Sequence, residues 1–240
     1  VICYFIVFHD RAAPQLRISA QQKEAAIQCL RAVPGLRKAL LHTAEQATDP
    51  YLDDGPPPQL ALQLYFDDIG ALEASLRHNG PLEPLAGEAI FASLAYAEVT
   101  QQAMLARSFD VPDPPQLRDG DVGCTYLVAY PGPAQDFNAW LTHYIGAHAS
   151  LMCRFPGVRA VEVCTRIDYC SGLPWRRAEC MLRNAVAFAS PAALTAALHS
   201  PVRHEMRADF REFPPYEGGN THAPMETLTV LPGALAGGHG

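Results

Sequence analysis

Pro156-Gly157-Val158-Arg159 repeats Pro34-Gly35-Leu36-Arg37 at a distance of 122 positions. With no gap introduced, Thr43 then falls on Thr165, Leu60 on Leu182, Phe66 on Phe188, Leu72 on Leu194 and Leu76 on Leu198. Tyr4, in the apolar run that opens the chain, falls on Tyr126 in a similar run. An offset held across two connecting loops implies two copies of one supersecondary unit. The copies differ where chemistry would sit. His143 and His148 of the second stand where the first has Gln21 and Ala26.

Each half reads strand, helix, strand, strand, helix, strand. In the first, residues 2–8 form a continuous apolar run of strand length. Ser19-Ala20-Gln21-Gln22 offers a Ser-x-x-Gln capping box ahead of Ala25, Ala26, Leu30 and Val33, and Pro34-Gly35 stops the helix. Residues 36–43 and 59–66 are β-rich runs on either side of a loop containing Asp53-Asp54-Gly55 and three prolines. Asp68 caps a helix over 69–78, and the closing strand lies within 91–105. In the second half, strands are predicted at 123–130, 158–167 and 177–188, with a helix over 134–153. Ser190-Pro191 starts the second helix, Ser200-Pro201 a further helical turn, and residues 226–231 close the unit.

A βαββαβ unit is a ferredoxin-like fold, an antiparallel sheet with both helices on one face. Its other face needs cover. Two units in one chain supply it by packing sheet to sheet as an intrachain α/β barrel, so the expected class is α+β. The boundaries are 1–108 for the first unit, a Pro- and Asp-rich linker at 109–122, 123–231 for the second unit, and a flexible tail at 232–240.

About half of the residues are apolar and only 18% are charged, so a sizeable core is expected and disorder is not. The net charge of −7 argues against nucleic acid, whose phosphates need a basic surface. No basic amphipathic stretch suggests a membrane surface. The run at 1–8 is too short to span a bilayer and lacks the basic leader of a signal peptide. Seven cysteines with no CxxC and no finger spacing read as reduced thiols of a cytoplasmic protein, and no metal site is expected.

The stretch Trp140-Leu141-Thr142-His143-Tyr144-Ile145-Gly146-Ala147-His148-Ala149-Ser150-Leu151, followed by Phe155-Pro156-Gly157-Val158, resembles the signature of the EthD family. Ala149-Ser150 stands where that family usually has a Pro. The family belongs to the dimeric α/β-barrel superfamily, so the resemblance implies the same fold. That superfamily includes cofactor-free monooxygenases of polyketide quinones, muconolactone isomerases, heme enzymes and stress proteins. The resemblance covers about 100 residues of the second half and raises the standing of His148 as a general acid/base.

On a regular helix Trp140, Tyr144 and His148 lie at i, i+4 and i+8, along one face. His143 points roughly 140° away from His148 and joins it only if the helix is distorted. Catalytic candidates are His148, His143 and Asp168, the last to orient His148 or to anchor Arg159. Tyr126, Trp140, Tyr144 and Trp175 are expected to line the pocket, with Asn220 and His222 completing it from a rim loop at 214–224. Asp49, Asp53 and Asp54 read as a solvated turn. No Walker loop, nucleophile elbow or dinucleotide fingerprint is present, so no cofactor is expected.

Two functions of different class follow. One is a cofactor-independent enzyme that moves a proton on a flat apolar ring compound (phenol, quinone or lactone) as an isomerase, cyclase, lyase or monooxygenase. The other is a non-catalytic carrier of a hydrophobic metabolite. A heme- or metal-binding barrel is a third, weaker reading. Pairing of the halves within one chain removes the usual need for a dimer, although a homodimer of such barrels stays open.

Overall fold

The computed structural model describes residues 1–87 and 89–233. Its strands are β1 (Ile2–His9), β2 (Leu36–Ala44), β3 (Leu60–Phe66), β4 (Glu98–Phe109), β5 (Val122–Tyr130), β6 (Val158–Arg166), β7 (Arg176–Arg177), β8 (Leu182–Phe188) and β9 (Thr221–Pro232). The helices are α1 (Ala20–Arg31), α2 (Ile69–Ser75), α3 (Phe137–His143), α4 (Ala149–Met152), α5 (Pro191–Leu198) and α6 (Pro201–Phe210). A π-helical turn, Tyr144–His148, joins α3 to α4.

Eight strands run antiparallel in the order β1-β3-β2-β9-β5-β8-β6-β4, and pairing of β1 with β4 closes them into a barrel. The first half contributes β4-β1-β3-β2 and the second β9-β5-β8-β6, with seams at β2–β9 and β4–β6. Closure leaves none of the eight with a free edge. The two-residue β7 adds in parallel to β4.

Alternation along the strands sorts side chains into three apolar layers. Tyr4, Ile6 and Phe8 turn outward and pack with Ala26 and Leu30 of α1 in the first outer layer. Tyr126, Val128 and Tyr130 do the same beneath Trp140, Tyr144 and α5. Cys3, Phe5, Leu40, Tyr65, Met104 and Cys164, drawn from both halves, face inward.

The pairing register of the second half follows that of the first. Tyr4 opposes Leu64 as Tyr126 opposes Val186. The register shift between Leu36 and Lys38 recurs between Val158 and Ala160. Gly35 and Gly157, at φ 76° and 74°, take the left-handed conformation in the turn that leads from each half's first helix into the next strand, which accounts for the repeated Pro-Gly. Ser19 and Gln22 form the expected capping box, and Asp68 and Ser190 accept from the backbone N–H groups of Ala71 and Ala193.

The local differences have physical causes. The strand expected at 177–188 is split, because Arg176 and Arg177 pair with β4 before the chain bends back to start β8 at Leu182. β9 begins at Thr221, since residues 221–224 find partners on β5, so His222 belongs to a strand and not to a rim loop. The helix expected at 134–153 is interrupted by the π turn. Residues 234–240 of the tail lie outside the described residues, and Pro232 is part of β9.

Candidate functional site

The π turn settles the relation of the two histidines. The N–H of Ala149 bonds to the carbonyl of Tyr144, five residues back, so residues five apart come onto one face. His143 Nε2 lies 3.0 Å from one carboxylate oxygen of Asp209, and His148 Nδ1 lies 2.7 Å from the other. Asp209 sits near the end of α6, which packs across the π turn. Phe213 closes the group, its ring centroid 5.2 Å from that of His143 and 4.9 Å from that of His148.

His148 is 5% exposed, and burial lowers its pKa below the ordinary imidazole value even though Asp209 pulls it upward. The hydrogen bond from His148 holds the Asp209 carboxyl below its usual range. The consistent state is a neutral ring whose Nδ1–H donates to the Asp209 carboxylate. Nε2 then carries the lone pair, which is the form of a general base.

The cavity lined by His148 lies between the outer face of β5, β8 and β9 and the helices. Tyr126, Tyr130, Asn184, Asn220, His222 and Arg203 contribute its polar atoms, among apolar walls such as Val186 and Met206. Its volume is about 50 Å³. The amide NH₂ of Asn184 donates to the Tyr144 hydroxyl, while its Oδ1, buried at a residue only 2% exposed, has no partner. An orphaned buried acceptor at a cavity wall calls for a donor from a ligand or water.

The first half completes this site in the second. Its loop between β2 and β3 places Leu52 in the cavity wall and sends Asp49 and Asp54 to the polar groups. Arg203 donates twice to Asp49 Oδ2, at 2.8 and 3.0 Å, in a pair whose side chains are 10% and 4% exposed. The Tyr126 hydroxyl donates to the same oxygen at 3.3 Å. Asp54 Oδ2 lies 2.7 Å from both the backbone N and Nδ1 of His222, whose ring stacks on Tyr126. The reading of Asp49 and Asp54 as a solvated turn is corrected by these contacts.

Of the residues singled out from sequence, His148, Tyr126, Asn220 and His222 line this cavity. Trp140 and Tyr144 stack behind His148 as one buried stripe, at 5.1 Å and 5.0 Å between successive rings. His143 reaches the site through Asp209. Asp168 does not join them. It is exposed in a separate groove with Gln102, Arg166 and Arg177, while Asp209 orients His148 and Asp113 anchors Arg159. Trp175 is also elsewhere, packed edge-on to Phe8 in the first half's outer layer.

Asp209, Arg203, Asn184 and Tyr130 were missed. Asn184 had a signal: the 122-residue offset that isolates the histidines sets it against Leu62, and it is the polar residue on the alternating face that carries Leu182, Val186 and Phe188. The same offset sets Asp209 against Gly87, and no local pattern marks it.

On the barrel's inner face, Cys3, Cys164 and Glu162 bring ligand atoms within 4.8 Å of one another, the one such group among the described residues. The hydrogen bond with Cys3 and then burial raise the Cys164 thiol well above its usual pKa, so it keeps its proton. All seven cysteines are free. No helix among the described residues is long and apolar enough to cross a membrane.

No protein-family model and no curated protein matches the chain. Solved structures do. An anthrone oxidase-like protein superposes with a TM-score of 0.57 at 12% identity, over 95% of this chain and 93% of that one. A candidate monooxygenase of Fusobacterium nucleatum superposes with a TM-score of 0.56 at 9% identity, over 98% of this chain and 96% of that one. An ethyl tert-butyl ether D (EthD) family protein of Bacillus halodurans matches 41% of this chain and 96% of its own at 23% identity, but its TM-score of 0.33 carries no argument. At these identities the likeness is one of fold, and the chain shares the α+β barrel of the first two proteins over nearly its whole length.

Proposed function

We propose that this protein is an enzyme that deprotonates an acidic C–H or O–H group of an apolar ring compound, with His148 as general base and Asp209 as the residue that orients it. The observation that carries the reading is the 2.7 Å contact from His148 Nδ1 to Asp209, which leaves Nε2 free on a ring that lines a cavity. Asn184 Oδ1, without a partner, is positioned to accept from a substrate hydroxyl. The shared register of the halves supports tandem ferredoxin-like units, of which only the second kept a polar site. The first has Leu62 and Ala26 where the second has Asn184 and His148.

The names of the structural neighbours suggest one reaction that uses these groups. In an anthrone, the proton leaving C10 goes to His148 Nε2, and the resulting carbanion reacts with dioxygen. Return of a proton gives a C10 hydroperoxide, and loss of water yields the quinone, so one anthrone and one O₂ become one quinone and one water. A cavity of about 50 Å³ is far smaller than the ~150 Å³ cavity that holds a benzene, so admission of a ring requires the cover of the site to open. That cover is held by the buried Asp49–Arg203 pair and by Asp54 with His222, and at its exposed rim by Thr48 with His199 and Tyr51 with His204.

Oxygen uptake with anthrone as the probe tests this. The wild type is expected to exceed the rate in buffer, and His148→Ala to lose about 10²–10⁴-fold of that excess. Uptake by His148→Ala equal to wild type would remove the reading.

A further inference from the structure

A second and larger space lies on the opposite face of the sheet. A cavity of about 510 Å³ enters the barrel at the end crossed by Phe109, Val111, Pro114 and Leu117. This is the size of an ordinary small-molecule site. Its walls are apolar, with Leu40, Val161, Ala185, Ala187 and Phe188 among them. Its lining also carries polar side chains on β3, β5, β6 and β9: Gln63, Tyr65, Thr125, Glu162 and Thr227.

Those groups form one chain that ends on a carboxylate. Thr125 and Thr227 hydroxyl oxygens are 2.7 Å apart, and Thr227 Oγ1 lies 2.9 Å from His42 Nδ1. His42 Nε2 meets Gln63 Oε1 at 3.2 Å, and Gln63 Nε2 donates to Glu162 Oε1 at 2.9 Å. The Tyr65 hydroxyl donates to the same Oε1 at 2.7 Å, and the Cys164 thiol at 3.7 Å. The direction is fixed from the Gln63 end: its amide donates to Glu162, so its carbonyl accepts from a neutral His42.

Every donor on Glu162 is neutral and every one lands on Oε1. Among the described residues no donor is placed on Oε2, and no Lys, Arg or His nitrogen lies within 4.0 Å of the carboxylate. Of the two cations in the lining, Lys38 holds its ammonium 4.4 Å from the Tyr65 ring centroid and Arg159 is paired with Asp113. A half-buried carboxylate inside an apolar cavity, offering one unengaged oxygen, is matched by a ligand that brings both donors and positive charge.

We infer that the barrel interior binds an apolar primary amine, with its ammonium on Glu162 Oε2 and its hydrocarbon along the Leu40–Ala185–Phe188 wall. The site is distinct from that of His148, which lines the outer face of the same sheet. An anionic amphiphile of equal length would set like charges together at Glu162 and is rejected.

Calorimetric titration of the whole protein with octylamine, 1-octanol and octanoate tests the inference. Octylamine is expected to bind one per chain, and octanoate about tenfold or more weaker. Glu162→Gln should weaken octylamine by about tenfold or more while changing octanol little, and His148→Ala should change neither. Ala185→Phe, which fills the cavity, should weaken octylamine and octanol together, and it carries the test if the Gln variant does not fold. Absence of octylamine binding at millimolar concentration overturns the inference. So does octanoate binding as tightly as the amine, or an octylamine affinity that survives both Glu162→Gln and Ala185→Phe. An octylamine affinity lost in His148→Ala would place the amine at the outer site and overturn it as well, without touching the proposed proton transfer.

Discussion

Acidification is expected to destabilise this barrel through His42 before it reaches any carboxylate. His42 is fully buried between Thr227 and Gln63, and burial lowers its pKa from 6.5 to about 4. Below pH 6.5 the unfolded chain takes up a proton at this ring that the native state refuses. The contribution is therefore complete above pH 6.5 and is lost as the pH falls toward 4. At about 1.4 kcal/mol per pH unit the whole loss is about 3 kcal/mol, and about 2 kcal/mol of it falls between pH 6.5 and 5. Urea unfolding at pH 7.5 and pH 5.0 measures it, with His42→Gln as the comparison, because an amide can replace the hydrogen bonds without titrating. Wild type should lose about 2 kcal/mol more than the variant between the two pH values. His148, whose pKa is also lowered, acts in the same direction in both proteins and cancels. Equal losses in the two proteins would mean that His42 does not carry the pH dependence. Should His42→Gln fail to fold, the imidazole resonances of wild-type His42 serve instead, and a ring that protonates near pH 6.5 would mean the same.

Asp209→Asn should lower turnover by about 10²–10⁴-fold in the oxygen-uptake assay, since the amide neither fixes the His148 tautomer nor stabilises the imidazolium. Ligand affinity should move far less, and a loss confined to KM would contradict an orienting role. Asp49→Ala leaves Arg203 charged and buried without its partner, which should cost about 3–5 kcal/mol in urea unfolding. A cost below about 1 kcal/mol would mean that the side chain reaches water on loss of its partner.

Much of the fold was legible because its signals are local or repeat. The apolar runs at β1 and β5, the caps Ser19, Asp68 and Ser190, and the two Pro-Gly turns each act within a few residues, and the constant offset joins them into a topology. Strand boundaries were less legible where distant partners decide them. Thr221–Pro224 is strand because β5 extends past it, and Arg176–Arg177 pairs because β4 lies beside it.

The site divides along the same line. His148, Tyr126 and their aromatic support stood out by helical spacing and by comparison of the halves. Asp209 reaches the histidines from 61 residues away, and Asp49 reaches Arg203 from 154 away, so no spacing rule finds either. α6 and Phe213 pack on the π turn, whose formation no regular spacing marks, and an ideal 3.6-residue period sends His143 the wrong way.

The most direct test of the account is the protonation state of His148 itself, read from the ¹⁵N shifts of its ring between pH 5 and 8. A neutral ring is expected at pH 7, with the proton on Nδ1, a free lone pair on Nε2, and a pKa below 6.5 that falls further in Asp209→Asn. A ring carrying its proton on Nε2 at pH 7, or one still positively charged there, would contradict it.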